Sequence, residues 1–290
     1  MKTNKMIKFG QVVTAYIYGN TIEITSSNNH YVQSIVVLPQ HQYLVIETGE
    51  IKVMDTKGMS RKDNLSSIKR TMRQLRRLIS ANFSGGKDEL WVTLTYSKNI
   101  NAKHQDDTKI VYRDFKSFIR KVRSKIGKIE YITVLEPQAS GRWHMHVLFK
   151  TNDNSRLYVK NSVMEKLWGK GFTSTKRLSN RDNVAAYVMA YVTNLRIDNG
   201  MSKKRDIKGA RIYLYPKGTK IYRRSKGIVD PKTIKATTKR KLNKVYKLTK
   251  ENKRGAYEQV FVIKSKNKKI VTQTEFFEKK SINKGENSKF

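Results

Sequence analysis

The chain has no cysteine, and its 23 acidic residues face 61 Lys and Arg. Without cysteine there is no disulfide framework, no thiolate metal site and no thiol nucleophile, which excludes zinc fingers and ribbons. A metal must then sit on His and carboxylate ligands, a set that suits Mg2+ or Mn2+ when one or two imidazoles take part. No apolar run approaches the ~18 residues that a membrane-spanning helix requires. The basic start Met1–Lys8 leads into no apolar stretch of a secretory signal, so a cytoplasmic protein is expected. There is no nucleotide-binding loop, so strand separation is expected to come from a host helicase.

What the chain does have is positive charge. A formal net charge of +38 opposes compaction by self-repulsion and points to a polyanionic partner. With a membrane role disfavoured, that partner is nucleic acid. At 290 residues the chain can hold one substantial domain with flanking elements, or two small ones.

Residues 1–60 read as short strands. Val12 to Tyr18, Thr21 to Thr25, Ser34 to Leu38 and Tyr43 to Glu47 are rich in β-branched and aromatic residues, with turns at Gly19-Asn20 and Ser26 to Asn29. From about Asn64 the period lengthens: Leu65, Ile68, Met72, Leu75 and Ile79 form a helical stripe, with Lys69, Arg70, Arg73, Arg76 and Arg77 largely off it. That basic face reads equally as a solvated surface or a phosphate contact. Leu90 to Tyr96 reads as a buried strand. A helix with Tyr112, Phe115, Ile119, Val122 and Ile126 inward follows, then strands at Glu130–Leu135 and Trp143–Phe149. Short helices near Ser162–Trp168 and Arg181–Leu195 flank a strand near Phe172–Lys176, and Ser179 or Asn180 is placed to cap the second. The order β-α-β-β-α-β-α is the split βαβ pattern of a ferredoxin-like or RRM-like sheet, an α+β class.

Past residue 200 the composition shifts: residues 201–254 hold twenty Lys and Arg against Asp206, Asp230 and Glu251. A hairpin at Pro216-Lys217-Gly218, a helix from Pro231, and strands near Gln259–Lys264 and Lys269–Thr272 are expected. The divisions are therefore a β-rich segment (1–60), a central domain (61–200, core 88–197), a basic DNA-binding region (201–278) and a disordered tail (279–290).

Two of the five histidines, His144 and His146, stand two apart in an apolar strand. Alternation puts both on one face, roughly 6–7 Å apart at the backbone, close enough to converge on one ion. Glu136, at the end of the preceding strand, is brought alongside by the hairpin, giving a two-His, one-acid set with open positions for Mg2+ or Mn2+. The plain alternative is two satisfied polar residues and a carboxylate paired with one of many cations. Farther on, Tyr187 and Tyr191 are i,i+4 and share a helix face. Core aromatics would show the same spacing, because Val184, Val188 and Leu195 lie near that stripe. A phenol with pKa ~10 is a weak nucleophile until a metal or base activates it.

These motifs, in this order, resemble the HUH endonucleases, in particular the two-tyrosine rolling-circle replication proteins of small phages and plasmids such as those of filamentous phages. Leu90 to Tyr96 looks like the first motif, His144-Met145-His146 like the His-hydrophobic-His motif, and Tyr187 to Tyr191 like the third. Phe115 to Ile126, Glu136 and Leu167-Trp168-Gly169-Lys170-Gly171-Phe172 agree with the family in position, and the resemblance covers roughly residues 88–197. It implies a central five-stranded antiparallel sheet with the histidines on a central strand, and an ion there binding the scissile phosphate. A tyrosine, Tyr187 ahead of Tyr191, would attack to leave a 5′-phosphotyrosine link and a 3′-OH for a host DNA polymerase. The lysine that the family often places three residues after the first tyrosine is Ala190 here, and Asn194 follows the second; Arg196 or another basic residue would take its place. Single-stranded DNA and origin duplex are the implied partners. Arg142, Arg196, Arg211, Lys217, Arg223 and Arg224 are candidate DNA contacts, and Tyr213, Tyr215, Tyr222 and Tyr246 candidate stacking surfaces.

Two rivals stand beside the nickase. A non-catalytic RRM-like module would carry aromatics where the histidines are, whereas Trp143 and Met145 point the other way. A relaxase would carry a third histidine, and a single-strand transposase is about half this length.

Overall fold

The computed structural model describes residues 6–29, 34–54, 65–98, 108–138, 142–178, 184–193, 215–216, 218–263 and 268–279. In chain order the elements are β1 (Val12–Tyr18), β2 (Thr21–Ser27), β3 (Ile35–Leu38), β4 (Gln42–Val45), β5 (Ile51–Val53), α1 (Leu65–Asn82), β6 (Glu89–Thr95) and α2 (Thr108–Ile126). They continue with β7 (Ile129–Pro137), β8 (Trp143–Thr151), α3 (Asn161–Trp168), β9 (Thr173–Lys176), α4 (Val184–Thr193), β10 (Tyr222–Arg224), β11 (Lys232–Thr238), α5 (Lys239–Tyr246), β12 (Lys253–Ile263) and β13 (Lys268–Glu278). The fold is α+β, with antiparallel sheets.

Two compact units emerge, and one is discontinuous: residues 57–230 form one, and residues 1–56 with 231–290 the other. The sequence suggested four consecutive segments. Their boundaries differ because the N-terminal and C-terminal strands share a single sheet, a pairing across more than two hundred residues that local pattern cannot reveal.

In the 57–230 unit the strands run β10-β7-β8-β6-β9, every neighbour antiparallel, with β8 in the middle. Apolar residues on both faces of β6 and β8 explain their central place: Leu90, Trp91, Val92 and Leu94, and Met145, Val147, Leu148 and Phe149, are all buried. The helical stripes land as their spacing requires. Ile68, Met72, Leu75 and Ile79 of α1 are buried, as are Tyr112, Phe115, Phe118, Ile119 and Val122 of α2. Phe118 contacts both Phe149 and Trp168, which places α2 and α3 on the Met145 face of the sheet. Each such aliphatic or aromatic side chain contributes on the order of 1.5–3 kcal/mol by leaving water. On the other face, Lys150 Nζ donates to the Asn82 carbonyl at the end of α1, and α4 packs on α1.

The discontinuous unit has a five-stranded sheet, β11-β1-β2-β13-β12, and a three-stranded one, β3-β4-β5. Ile7, Val13, Ala15, Ile22, Ile24, Leu242, Leu248 and Phe277 form its core, with α5 contributing Leu242. Buried Glu275 accepts from Lys239 at 2.6 Å and from Lys253 at 2.7 Å, so three buried charges satisfy one another. The expected helix at Pro231 is instead β11, which pairs with β1; the helix starts only at Lys239, where the Thr238 hydroxyl caps the Lys241 N–H. Pro supports a first helical turn but also an edge strand, and edge pairing prevails here. The expected turn at Pro216 is present as a Thr219 N–H bond to the Pro216 carbonyl, while Ser179, Asn180 and the tail beyond Lys279 lie outside the described residues. No helix among the described residues is long and apolar enough to cross a membrane.

Candidate active site

Register builds the site. On β8, His144 sits opposite Glu136 of β7 and Thr95 of β6; one step along the same face, His146 sits opposite Val134 and Thr93. Paired residues of an antiparallel ladder project to the same side, so Glu136, His144 and His146 rise from one face while Trp143 and Met145 are buried on the other. The imidazole centroids lie 6.4 Å apart at 76°. One ligand atom from each of Glu136, His144 and His146 lies within 4.8 Å of the others.

Each ring is held from outside that cluster. Thr93 Oγ1 meets His146 Nδ1 at 3.3 Å, and the Gln138 amide meets His144 Nδ1 at 2.9 Å. His146 Nε2 then faces Glu136 Oε2 at 2.6 Å. The Trp91 ring lies 5.9 Å from the His146 ring, so the site has an apolar flank. His146 is 7% exposed, whereas the Glu136 side chain is 22% exposed, which leaves the cluster reachable from one side. Two imidazoles and a carboxylate with remaining positions open fit a hard divalent cation; the outward bonds to Nδ1 are the support that ligating histidines ordinarily have.

A short segment braces this end of β6. The Trp168 indole donates to the Thr95 carbonyl at 3.1 Å, Gly169 ends α3 in the left-handed region at φ 63°, and Ser97 N–H bonds the Lys170 carbonyl. Tyr96 donates to Asp114 at 3.1 Å, and burial, then the Asp114 charge, pushes its phenol up out of the titrating range. Tyr96 is therefore a structural hydroxyl.

Helix α4 carries the two candidate nucleophiles. Its buried residues are Val184, Ala185 and Val188. The side chains of Tyr187 and Tyr191 lie outside the described residues. Lys150 continues the alternation of His144 and His146, and it binds the end of α1, on which α4 packs. The tyrosine-bearing helix thus lies on the histidine side of the sheet.

The candidate DNA contacts do not form one patch. Arg142 is half-buried beside the hairpin, closed by the Gln138 N–H bond to its carbonyl, and its Nε is buried without a hydrogen-bond partner among the described residues. Arg223 pairs with Thr133, which puts it on the face away from the histidines, where its guanidinium lies 3.4 Å from the Tyr112 ring centroid. Burial pushes that phenol up to about 12, with Arg223 opposing the rise. Arg224 forms a two-pronged pair with Asp230 at 2.6 and 2.7 Å. Arg196, Arg211, Lys217, Tyr213 and Asn194 lie outside the described residues. Tyr215 is buried and donates to the Leu135 carbonyl, so it braces β7 and offers no stacking surface. Thr93 and Gln138 were not singled out from sequence, because only the register shows which residues flank the histidines.

Fold and site together define an α+β unit whose antiparallel sheet gathers two histidines and a carboxylate on one face. Residues 89–196 match the family described as Replication-associated protein ORF2, from the first residue of β6 to three residues beyond α4, and the match supports a role in replication. No curated protein and no solved structure matches the chain.

Proposed function

We propose that the protein initiates rolling-circle replication by nicking single-stranded DNA at an origin. The observation that carries this reading is the convergence of Glu136, His144 and His146 on the side of the sheet where α4 lies. A bound Mg2+ or Mn2+ would polarise a non-bridging oxygen of the scissile phosphate and offset the charge that builds there. Glu136, His144 and His146 hold and orient that ion, while Thr93 and Gln138 fix the two rings. The phenol oxygen of Tyr187, or of Tyr191, attacks phosphorus and gives up its proton; the P–O3′ bond breaks, leaving a 5′-phosphotyrosine and a 3′-OH. The second tyrosine serves the strand transfer that ends a round. The net charge of +38 supplies attraction for both the single strand and the origin duplex. A host polymerase extends the 3′-OH, and a host helicase opens the duplex.

The test is a covalent adduct. With single-stranded DNA of its own element and Mn2+ or Mg2+, the protein should form a complex that survives SDS and is lost with chelator. Tyr187→Phe should abolish the first cleavage and Tyr191→Phe the transfer. Full adduct formation by both single variants and by the double variant would overturn the tyrosine assignment. DNA binding without any adduct would leave only a basic binding protein.

A further inference from the structure

Phe172 is 62% exposed, although everything around it is tightly fixed. Its carbonyl accepts from Thr95 N–H at 2.9 Å, one step beyond the Leu94–Thr173 pair, so β9 continues in register to Phe172 opposite Thr95. Thr95 lies opposite His144, and His144 opposite Glu136. Phe172, Thr95, His144 and Glu136 therefore form one cross-strand row on one face. Two strand spacings separate Phe172 from His144 at the backbone, about 10 Å. Exposure alternates along the edge: Phe172, Ser174 and Lys176 are exposed, whereas Thr173 and Thr175 are half-buried, and both hydroxyls bond Asn161 at 3.0 Å. The open side of β9 is thus the histidine side.

The preceding residues hold Phe172 there. Gly171, at φ 143°, passes so close to the Thr95 and Ser97 backbone that a Cβ would collide with both, and Trp168 anchors to the Thr95 carbonyl. A rigid scaffold that keeps an aromatic ring in water stabilises nothing by apolar burial, since a buried Phe removes 150 Å² or more from solvent. A flat π-face, one or two nucleotides from a phosphate-binding cluster on a strongly basic chain, matches an unpaired nucleobase, because stacking needs no particular sequence.

We infer that Phe172 stacks a nucleobase of the single strand next to the scissile phosphate, making β9 a binding subsite for single-stranded DNA. The position relative to the scissile phosphate rests on the nickase reading; the stacking itself does not. The test is fluorescence anisotropy in chelator, where no cleavage occurs, using a labelled single strand of about 15 nucleotides, the size of a small binding module, and an abasic strand of equal length. Phe172→Ala should weaken binding of the base-bearing strand by about 5- to 100-fold, the range that stacking of one base implies. It should leave binding of the abasic strand and the melting temperature unchanged, and Phe172→Trp should restore binding. Equal binding by wild type and Phe172→Ala, equal losses on both strands, or no single-strand binding by wild type would each overturn the inference. The adduct assay reports on the nickase separately, so stacking without an adduct, or an adduct without stacking, tells the two apart.

Discussion

Glu136 Oε2 lies 2.6 Å from His146 Nε2, although the residue directly opposite Glu136 on β8 is His144. The carboxylate reaches diagonally across the ladder and so stands between the two rings. That is the position a third ligand needs. Glu136→Gln should weaken Mn2+ binding at least tenfold by calorimetry, and His146→Ala should abolish it. Because a ligand that binds only the folded state raises its stability, Mn2+ should raise the melting temperature of wild type but not of His146→Ala. Equal Mn2+ affinity in wild type and Glu136→Gln would remove Glu136 from the ligand set.

Gln138 and Thr93 act through the histidines and touch no substrate. For His144 to ligate through Nε2, its Nδ1 must carry the proton, and a flip of the Gln138 amide presents the oxygen that accepts it. Gln138→Leu and Thr93→Val should each lower metal affinity by about 10- to 100-fold, the cost typical of removing such outer partners. The imidazole 15N shifts should show a changed tautomer mixture in Gln138→Leu. An unchanged tautomer and affinity would make Gln138 a hairpin residue only.

Much of the 57–230 unit was legible in the sequence, because its information is local. Alternation in Trp143–Phe149 and the helical stripes of α1 and α2 fix which residues are buried. The pair His144 and His146 was legible for the same reason, and Glu136 followed from the shortness of the hairpin. What was not legible depends on register between distant strands. Thr93 opposite His146, Phe172 opposite Thr95, and β11 against β1 are pairings that no local pattern specifies. Arg223 and Arg224 illustrate the same limit: adjacent basic residues on β10 face opposite ways, one onto Tyr112 and one onto Asp230.

Gly171→Ala should be among the most damaging single-methyl changes in the 57–230 unit. The backbone conformation at φ 143° is one L residues rarely adopt, and the added carbon has no space against Thr95 and Ser97. A loss of about 3 kcal/mol is expected, which lowers the melting temperature by roughly 6–12 °C in a unit of this size. Gly218→Ala, also at positive φ but with nothing near its Cβ position, is the control for backbone strain alone and should cost about 1 kcal/mol. Similar losses in the two variants would show that the close approach at Gly171 contributes little.

Acid should expose the role of Glu130. Burial raises its pKa, but hydrogen bonds from Ser225, Gly227 N–H and Asn152, with the Arg123 charge, outweigh that and hold the carboxyl below its ordinary value. A depressed folded pKa contributes stability that is complete above the unfolded value of about 4.3 and is lost as pH falls through the lower folded value. Glu130→Gln should therefore cost about 1 kcal/mol at pH 7 and progressively less below about pH 4. Buried Glu89 acts in the opposite sense: burial raises its pKa despite the N–H groups of Ser84 and Gly85, so its ionisation opposes folding as pH rises. Glu89 is common to both proteins and cancels in the difference between their denaturant midpoints across pH 3 to 7. A difference that stays constant over that range would show that Glu130 acts through packing, and one that grows toward low pH would contradict the sign of its pKa shift.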